Sequence, residues 1–266
     1  EYAFMDAMIP VLHPANVQEF LDMGLHGWAM SRYAGVWVAI KTLADTVDTS
    51  ASVYVDPHRV QCKIPDDFEI PEGGLNIRAS IHQPLQEEEL LHKYRLYAAL
   101  AYVRANGLNY QVWPSKNRRL GIVTTGKSYL DVMQALEDLH IDEAFAEKLG
   151  IVIYKVGMPW PLEREGIRHF AEGLEEILVV EEKRAVIENQ LKEQLYNWRE
   201  DVRPRVVGKF NDQRELQLPS YGELTPAGIA RVLVDRLKKL PGGNATVDSN
   251  EHFKNRLGFL TAKEKS

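Results

Sequence analysis

LGIVTT (120–125), IVIYKVGMPWPLE (151–163) and ILVVEEKRAVIENQLKEQLYNW (177–198) decide how this chain folds. Each opens with a short run rich in β-branched residues and is followed by a stretch with apolar side chains at helical spacing. Strands alternating with amphipathic helices predict a parallel α/β domain, here over residues 118–240. Its last helix is marked by Thr225 as N-cap and Pro226 at the first turn, with Ile229, Leu233, Leu237 and Leu240 on one face.

The same region contains a formal phosphate-loop match, GIVTTGKS at 121–128, followed later by ILVVEE. A phosphate loop follows a buried strand, because its free N–H groups must form the anion cradle. Here Ser115 to Arg119 is too polar to be that strand, and Ile122-Val123-Thr124 lies inside the supposed loop. The residues therefore read as a strand containing Gly121, a turn at Thr124-Thr125-Gly126, and a helix opened by Lys127-Ser128 and carried by Tyr129, Val132, Met133, Leu136 and Leu139. The helix start makes Gly126, Lys127 and Ser128 a candidate anion site. Glu181-Glu182, ending the third run, is the best carboxylate pair. Acidic residues are also welcome at the N-terminus of a helix starting near Arg184, and neighbours on a strand point to opposite faces. No catalytic residue is assigned.

With 266 residues, 45% of them hydrophobic, the chain has material for one large core or two modest ones. A formal net charge of −6 argues against a nucleic-acid surface, and no apolar run approaches the roughly 18 residues that span a bilayer. Cys62 is the one cysteine, so neither an internal disulfide nor a Cys-x-x-Cys metal site is available, and a reducing cytoplasm is the expected location. The eight histidines show no metal-binding spacing.

Residues 1–56 read as a βαβ piece: an apolar segment at Met8 to Leu12, a helix capped by Asn16 over Val17, Phe20, Leu21, Leu25 and Trp28, and a strand at Val36 to Ile40. Such a unit normally belongs to a larger parallel sheet, and with no initiator methionine the chain reads as part of something longer. Residues 57–117 form a connector rich in Pro and Gly, with one helix over 87–106 whose stripe is Leu90, Leu91, Tyr94, Tyr97, Ala98 and Ala101, stopped by Gly107. Pro161 is expected to open a helix through Ile167, Phe170 and Leu174, with Trp160 as a packing residue. Ile187, Leu191, Leu195 and Trp198 form a stripe that suits a core face or an interface. Residues 241–266 read as a linker tail, apolar only at Phe253, Leu257, Phe259 and Leu260.

Several uncommon strings resemble the thiamine-dependent 2-oxoacid:ferredoxin oxidoreductases, most closely the fused bacterial indolepyruvate ferredoxin oxidoreductases. They are DAMIPVLHPANVQEFLDMGLHGWAMSRYAGVWV (6–38), LGIVTTGKSYLDV (120–132), YKVGMPWPLE (154–163), EGLEEILVVEEKRAVIENQLKEQLYNW (172–198), VGKF (207–210) and GELTP (222–226). The resemblance implies that 1–56 is the end of a pyrimidine-binding-like domain and 118–240 a three-layer, Rossmann-like transketolase C-terminal-like domain. It implies that the glutamate activating thiamine diphosphate precedes Glu1, and that the magnesium–diphosphate motif and a cysteine-rich stretch for 4Fe-4S clusters follow Ser266. An intact enzyme of this kind decarboxylates indolepyruvate or another aryl pyruvate oxidatively, passes electrons to ferredoxin and the acyl group to coenzyme A, and forms a homodimer. This segment is then a non-catalytic structural and assembly piece, partnered by the rest of its parent chain, and holding no complete cofactor. The alternatives are an anion- or coenzyme-A-binding module at Gly126, Lys127 and Ser128, or a phosphate-loop nucleotide-binding enzyme.

Overall fold

The computed structural model describes residues 1–76 and 83–243 together with Glu251, Phe253, Asn255, Arg256, Gly258 and Phe259. Leu257 and Leu260, expected among the apolar residues of the tail, lie outside that set. The chain divides into two compact units, Glu1–Tyr110 with Val156–Ile167, and Gln111–Lys155 with Arg168–Ser266.

The first unit carries α1 (Tyr2–Asp6), β1 (Val11–Leu12), α2 (Val17–Ala34), β2 (Ala39–Ile40), α3 (Ala44–Val47), α4 (Pro84–Leu90), a π-helical turn Leu91–Arg95 and α5 (Leu96–Asn106). The expected βαβ piece is present: β1 and β2 pair in parallel, Val11 opposite Ala39, and α2 is the crossover. Asn16 caps α2 by accepting the Glu19 N–H at 3.0 Å, and Gly35 ends it in the left-handed region.

Two expectations fail in this unit. The strand expected over Val36 to Ile40 pairs only at Ala39–Ile40. The buried face of α2 is Met23, Gly27, Met30 and Ala34, while Leu21, Leu25 and Trp28 stay exposed. Gly27 faces Leu12 and Val38, where an added Cβ would make ordinary contacts at 3.5 and 3.6 Å.

The helix expected over 87–106 starts three residues earlier, at Pro84, and contains a π-helical turn; of the expected stripe Ala98 and Ala101 are buried, Leu90, Leu91 and Tyr94 half-buried and Tyr97 exposed, and Leu100 and Tyr102 join the buried face. That turn brings Arg95 inward, its Nε donating to the Leu75 carbonyl at 2.8 Å. Gly107 ends α5 in the left-handed conformation, as expected. The connector has no regular structure over 49–76, yet side chains tie it down. Tyr54 N–H donates to Gln18 Oε1 at 2.8 Å, Arg59 pairs with Asp22, and Asn106 brackets Lys63, accepting its N–H at 2.7 Å and donating to its carbonyl at 2.9 Å. Gln18 and Asp22 lie one turn apart on α2.

The five-stranded sheet has the order β3-β5-β4-β6-β7, with β3 (Asn109–Gln111), β4 (Leu120–Thr125), β5 (Ile151–Val156), β6 (Glu176–Val180) and β7 (Arg205–Val207). β6 runs parallel to both β4 and β7. The edge strands β3 and β7, three residues each, carry too little apolar signal to be read from sequence. Helices α6 (Gly126–Asp138), α7 (Glu143–Leu149) and α10 (Pro226–Lys239) share one core with Ile122, Ile153, Leu178 and Val180. Gly121, the alternate residue of β4, faces Phe170 of α8 (Arg164–Ala171) and Leu174. Helices thus cover both faces of the sheet, giving the three-layer, transketolase C-terminal-like arrangement. Phe253 is fully buried in this core, its ring 5.7 Å from that of Phe145.

Two helix starts differ from expectation. α8 begins at Arg164 rather than Pro161, because the Glu163 carboxylate accepts the N–H groups of Glu165 and Gly166 and sets the first turn there. α9 (Ile187–Leu195) begins three residues after Arg184, where the Glu181 carboxylate meets its first N–H groups.

Candidate functional site

Open α/β sheets display ligand-binding groups at the carboxyl ends of strands where the strand order reverses. After β4 the chain places β5 on one side and β6 on the other, so the reversal lies between β4 and β6. Their carboxyl ends carry Thr124, Thr125, Gly126, Lys127 and Ser128 on one side and Glu181 and Glu182 on the other. The residues nominated from sequence therefore do converge.

β4 ends at Thr125 and α6 begins at Gly126, leaving no residues for a loop. Gly121, which would open a phosphate loop, is buried within β4, paired opposite Ile177. The phosphate-loop alternative is overturned by this geometry. Gly126 takes a positive φ of 52° at the sharp junction, and the side chain of Thr125 does not cap α6. Thr124 is fully buried and its hydroxyl has no hydrogen-bond partner among the described residues.

Lys127 is the cation of this crevice, and carboxylates enclose it. Its Nζ lies 3.0 Å from Asp131, one turn along α6, and 3.6 Å from Glu182 across the strand reversal. Both carboxylates are buried. Glu182 also accepts the Leu224 N–H at 3.4 Å, tying in the segment before α10. Glu181 turns the other way: its carboxylate accepts the N–H groups of Val186, Ile187 and Glu188 at 3.0–3.1 Å. It thus satisfies the donors at the start of α9. Burial raises the Glu181 pKa even though these N–H groups and nearby Lys209 favour the charged form. Lys209, itself buried, donates through Nζ to the Glu181 carbonyl and through its backbone N–H to Glu188 at 2.9 Å.

Sequence reasoning missed Asp131 and Lys209, since a helical aspartate and a lysine in a short VGKF string look like surface residues. It also missed Lys155, the fifth residue of β5. That side chain is 1% exposed, burial lowers its pKa to about 8, and its Nζ stands 4.9 Å from the Tyr129 ring centroid. At the amino end of β6, Arg236 is fully buried against Glu176 (Nε to Oε1 2.6 Å) and reaches Asp212 at 3.0 Å. Ile187, Leu191 and Leu195 are all buried, so the stripe on α9 is a core face; Trp198 lies beyond the helix, 5.5 Å below the Arg168 guanidinium.

This donor set suits an internal ion network more than a cofactor. Lys127 is balanced by two carboxylates, and the oxygens of Glu181 are taken by backbone donors. An iron–sulfur cluster needs several thiolates, and the chain has Cys62 alone, so its residues do not fit that group. Among the described residues no group of three or more His, Cys, Asp or Glu is placed to hold a metal ion. No helix among them is long and apolar enough to cross a membrane.

Comparison with known proteins places this geometry in context. Residues 109–266 match the family described as indolepyruvate ferredoxin oxidoreductase middle domain. Indolepyruvate oxidoreductase subunit IorA of Pyrococcus abyssi is 28% identical over 193 residues, covering 70% of this chain and 28% of that protein. The protein of the same name from Methanothermobacter marburgensis is 22% identical over 245 residues, covering 83% and 38%. Among solved structures, a 2-oxoglutarate:ferredoxin oxidoreductase from Magnetococcus marinus aligns with a TM-score of 0.50 at 15% identity, over 85% of this chain and 42% of that one. The chain thus spans less than half the length of each.

Proposed function

Since the chain belongs to the indolepyruvate ferredoxin oxidoreductase family, with residues 109–266 as its middle domain, we propose that residues 1–266 serve as a structural and assembly segment of such an enzyme and do none of its chemistry. In this reading the rest of the enzyme supplies thiamine diphosphate, magnesium and 4Fe-4S clusters. The whole enzyme decarboxylates an aryl pyruvate of the indolepyruvate type, with ferredoxin as electron acceptor and coenzyme A as acyl acceptor. It works as a homodimer in the cytoplasm.

One observation carries the reading. The crevice where this fold would present ligand-binding groups is filled by the chain's own charges, Lys127 between Asp131 and Glu182. An incoming phosphate or carboxylate at Gly126, Lys127 and Ser128 has to compete with two carboxylates already in place, at close range and out of bulk water. The network links α6, the loop after β6 and the segment entering α10. Its role in this reading is to fix those three pieces in register.

The second reading, an anion- or coenzyme-A-binding module, is favoured only by the α6 N-terminus, which no Thr125 side chain caps. Titration calorimetry separates the two. Thiamine diphosphate with magnesium, ATP with magnesium, and coenzyme A are each titrated into the protein and into Lys127→Ala. We expect no binding heat from any of them. Coenzyme A binding that disappears in Lys127→Ala would sink the assembly reading and establish the anion site.

A further inference from the structure

In the second unit β7 is the last strand on its side of the sheet. Its Arg205 N–H donates to the Glu175 carbonyl at 3.1 Å, and Arg205 and Val207 stand opposite Glu176 and Leu178 in parallel register. Alternate residues carry the bonds of such a ladder, so Val206 turns its N–H and C=O away from β6. Neither group has a hydrogen-bond partner among the described residues. A groove of about 520 Å³ runs along this edge, with Val206, Val207 and Phe210 as its apolar wall and Lys192, Arg205 and Arg214 as its cations. We infer that the groove receives an extended acidic peptide segment of a partner protein, added to the sheet as a further strand beside β7.

The charge of the occupant follows from where the lining's charges sit. The Lys192 side chain is 47% exposed and its partner Glu188 4%; that of Arg205 is 51% exposed and its partner Glu176 2%. The carboxylates lie beneath the surface and are committed there, Glu188 to the Lys209 N–H and Glu176 to fully buried Arg236. The cations stand outside. Asp212, the acidic residue of the lining, accepts from Arg236 at 3.0 Å. Arg214 has no carboxylate partner among the described residues. It sits at φ 66° in a turn where Asn211 Oδ1 accepts the N–H groups of Gln213 and Glu215 at 2.9 Å. That conformation favours glycine, so the guanidinium is held at the groove at some cost in backbone strain.

Edge and charge select the same occupant. Cations beside an open edge repel other basic strands and leave acidic ones as those that fit. A strand added there bonds through its main chain to Val206, while its side chains are read by what lines the groove. Alternate side chains of a strand share a face, so a peptide alternating carboxylate and apolar residues offers one set to the cations and the other to Phe210, which is 51% exposed.

Fluorescence anisotropy with three labelled hexapeptides tests this. One alternates glutamate and valine; one alternates glutamate and proline, with the same charge but without the N–H groups a strand donates; one alternates lysine and valine. Only the first should bind, and its Kd should rise about tenfold or more between about 50 and 500 mM salt. Val206→Pro removes the outward N–H while Arg205 and Val207 keep their bonds to β6. It should weaken binding about tenfold, as loss of a hydrogen bond does. Arg214→Gly relieves the positive φ, so its denaturation midpoint should hold or rise while binding again falls about tenfold. No binding of the glutamate–valine peptide, or binding that neither variant weakens, overturns the proposal. Equal binding of the glutamate–proline peptide overturns strand addition, and equal binding of the lysine–valine peptide overturns the acidic partner. These probes address β7 and not the Lys127 crevice, so this test and the titrations above fail separately.

Discussion

Lys155 shows how one buried charge sets a pH dependence. Its pKa is lowered to about 8 by burial, against 10.5 for an ordinary lysine. Between those values the unfolded chain holds a proton that the folded chain has released, so stability rises with pH through that window and is lower below it. Lys155→Met keeps the length and the contact with Tyr129 while removing the charge. It should stabilise the protein at pH 7 by on the order of 1–3 kcal/mol, with the advantage shrinking as pH rises from 8 towards 10. Denaturant melts at pH 7, 8 and 9 check this; a gap that is constant with pH would mean that the charge is not what burial opposes. Nothing in the sequence marks Lys155 as buried, because IVIYKV gives the alternation of a strand but not the depth of its neighbours. Glu181 was more legible: a carboxylate just before a helix is expected to meet its N–H groups, and it does.

Between elements, glycines mark the closest approaches. Gly121 opens the formal phosphate-loop match but reads from sequence as a strand residue, and it lies in β4 against the helix below, where an added Cβ would come within 2.6 Å of Leu174 and 2.9 Å of Phe170. Gly121→Ala should therefore cost about 1–3 kcal/mol by overpacking, measured as a shift of the denaturation midpoint at unchanged slope. A neutral substitution would show that Phe170 and Leu174 yield freely. The elements legible in sequence were those with a repeating apolar pattern or a capping residue: β4, β5, β6, α6, and α10 with its Thr225 cap. Those that escaped depend on contacts distant in sequence. The exposed line Leu21, Leu25, Trp28 has perfect helical spacing, yet the side of α2 that is buried is Met23, Gly27, Met30 and Ala34. The π-helical turn ends at Arg95, which bonds the Leu75 carbonyl twenty residues away.

Across the molecule, long-range ion pairs do what short apolar strands do not. Arg236 of α10 holds Glu176 at the start of β6 and Asp212 in the loop after β7, all within the second unit. Glu176→Gln leaves a buried guanidinium with half its charge compensation and should destabilise by about 3 kcal/mol. Chemical denaturation checks this, and a loss below about 0.5 kcal/mol would mean that Asp212 compensates alone. In the first unit, the connector over 49–76 has no ladder of its own and is held by Gln18, Asp22 and Asn106. A protease must draw an extended strand of substrate into its cleft, and here the basic residues it would seek are already engaged. The guanidinium of Arg59 is committed to Asp22, and the peptide groups on both sides of Lys63 are held by Asn106. The segment that looks most like a linker in sequence is thus shielded from tryptic cleavage at both positions for as long as α2 and α5 stay folded.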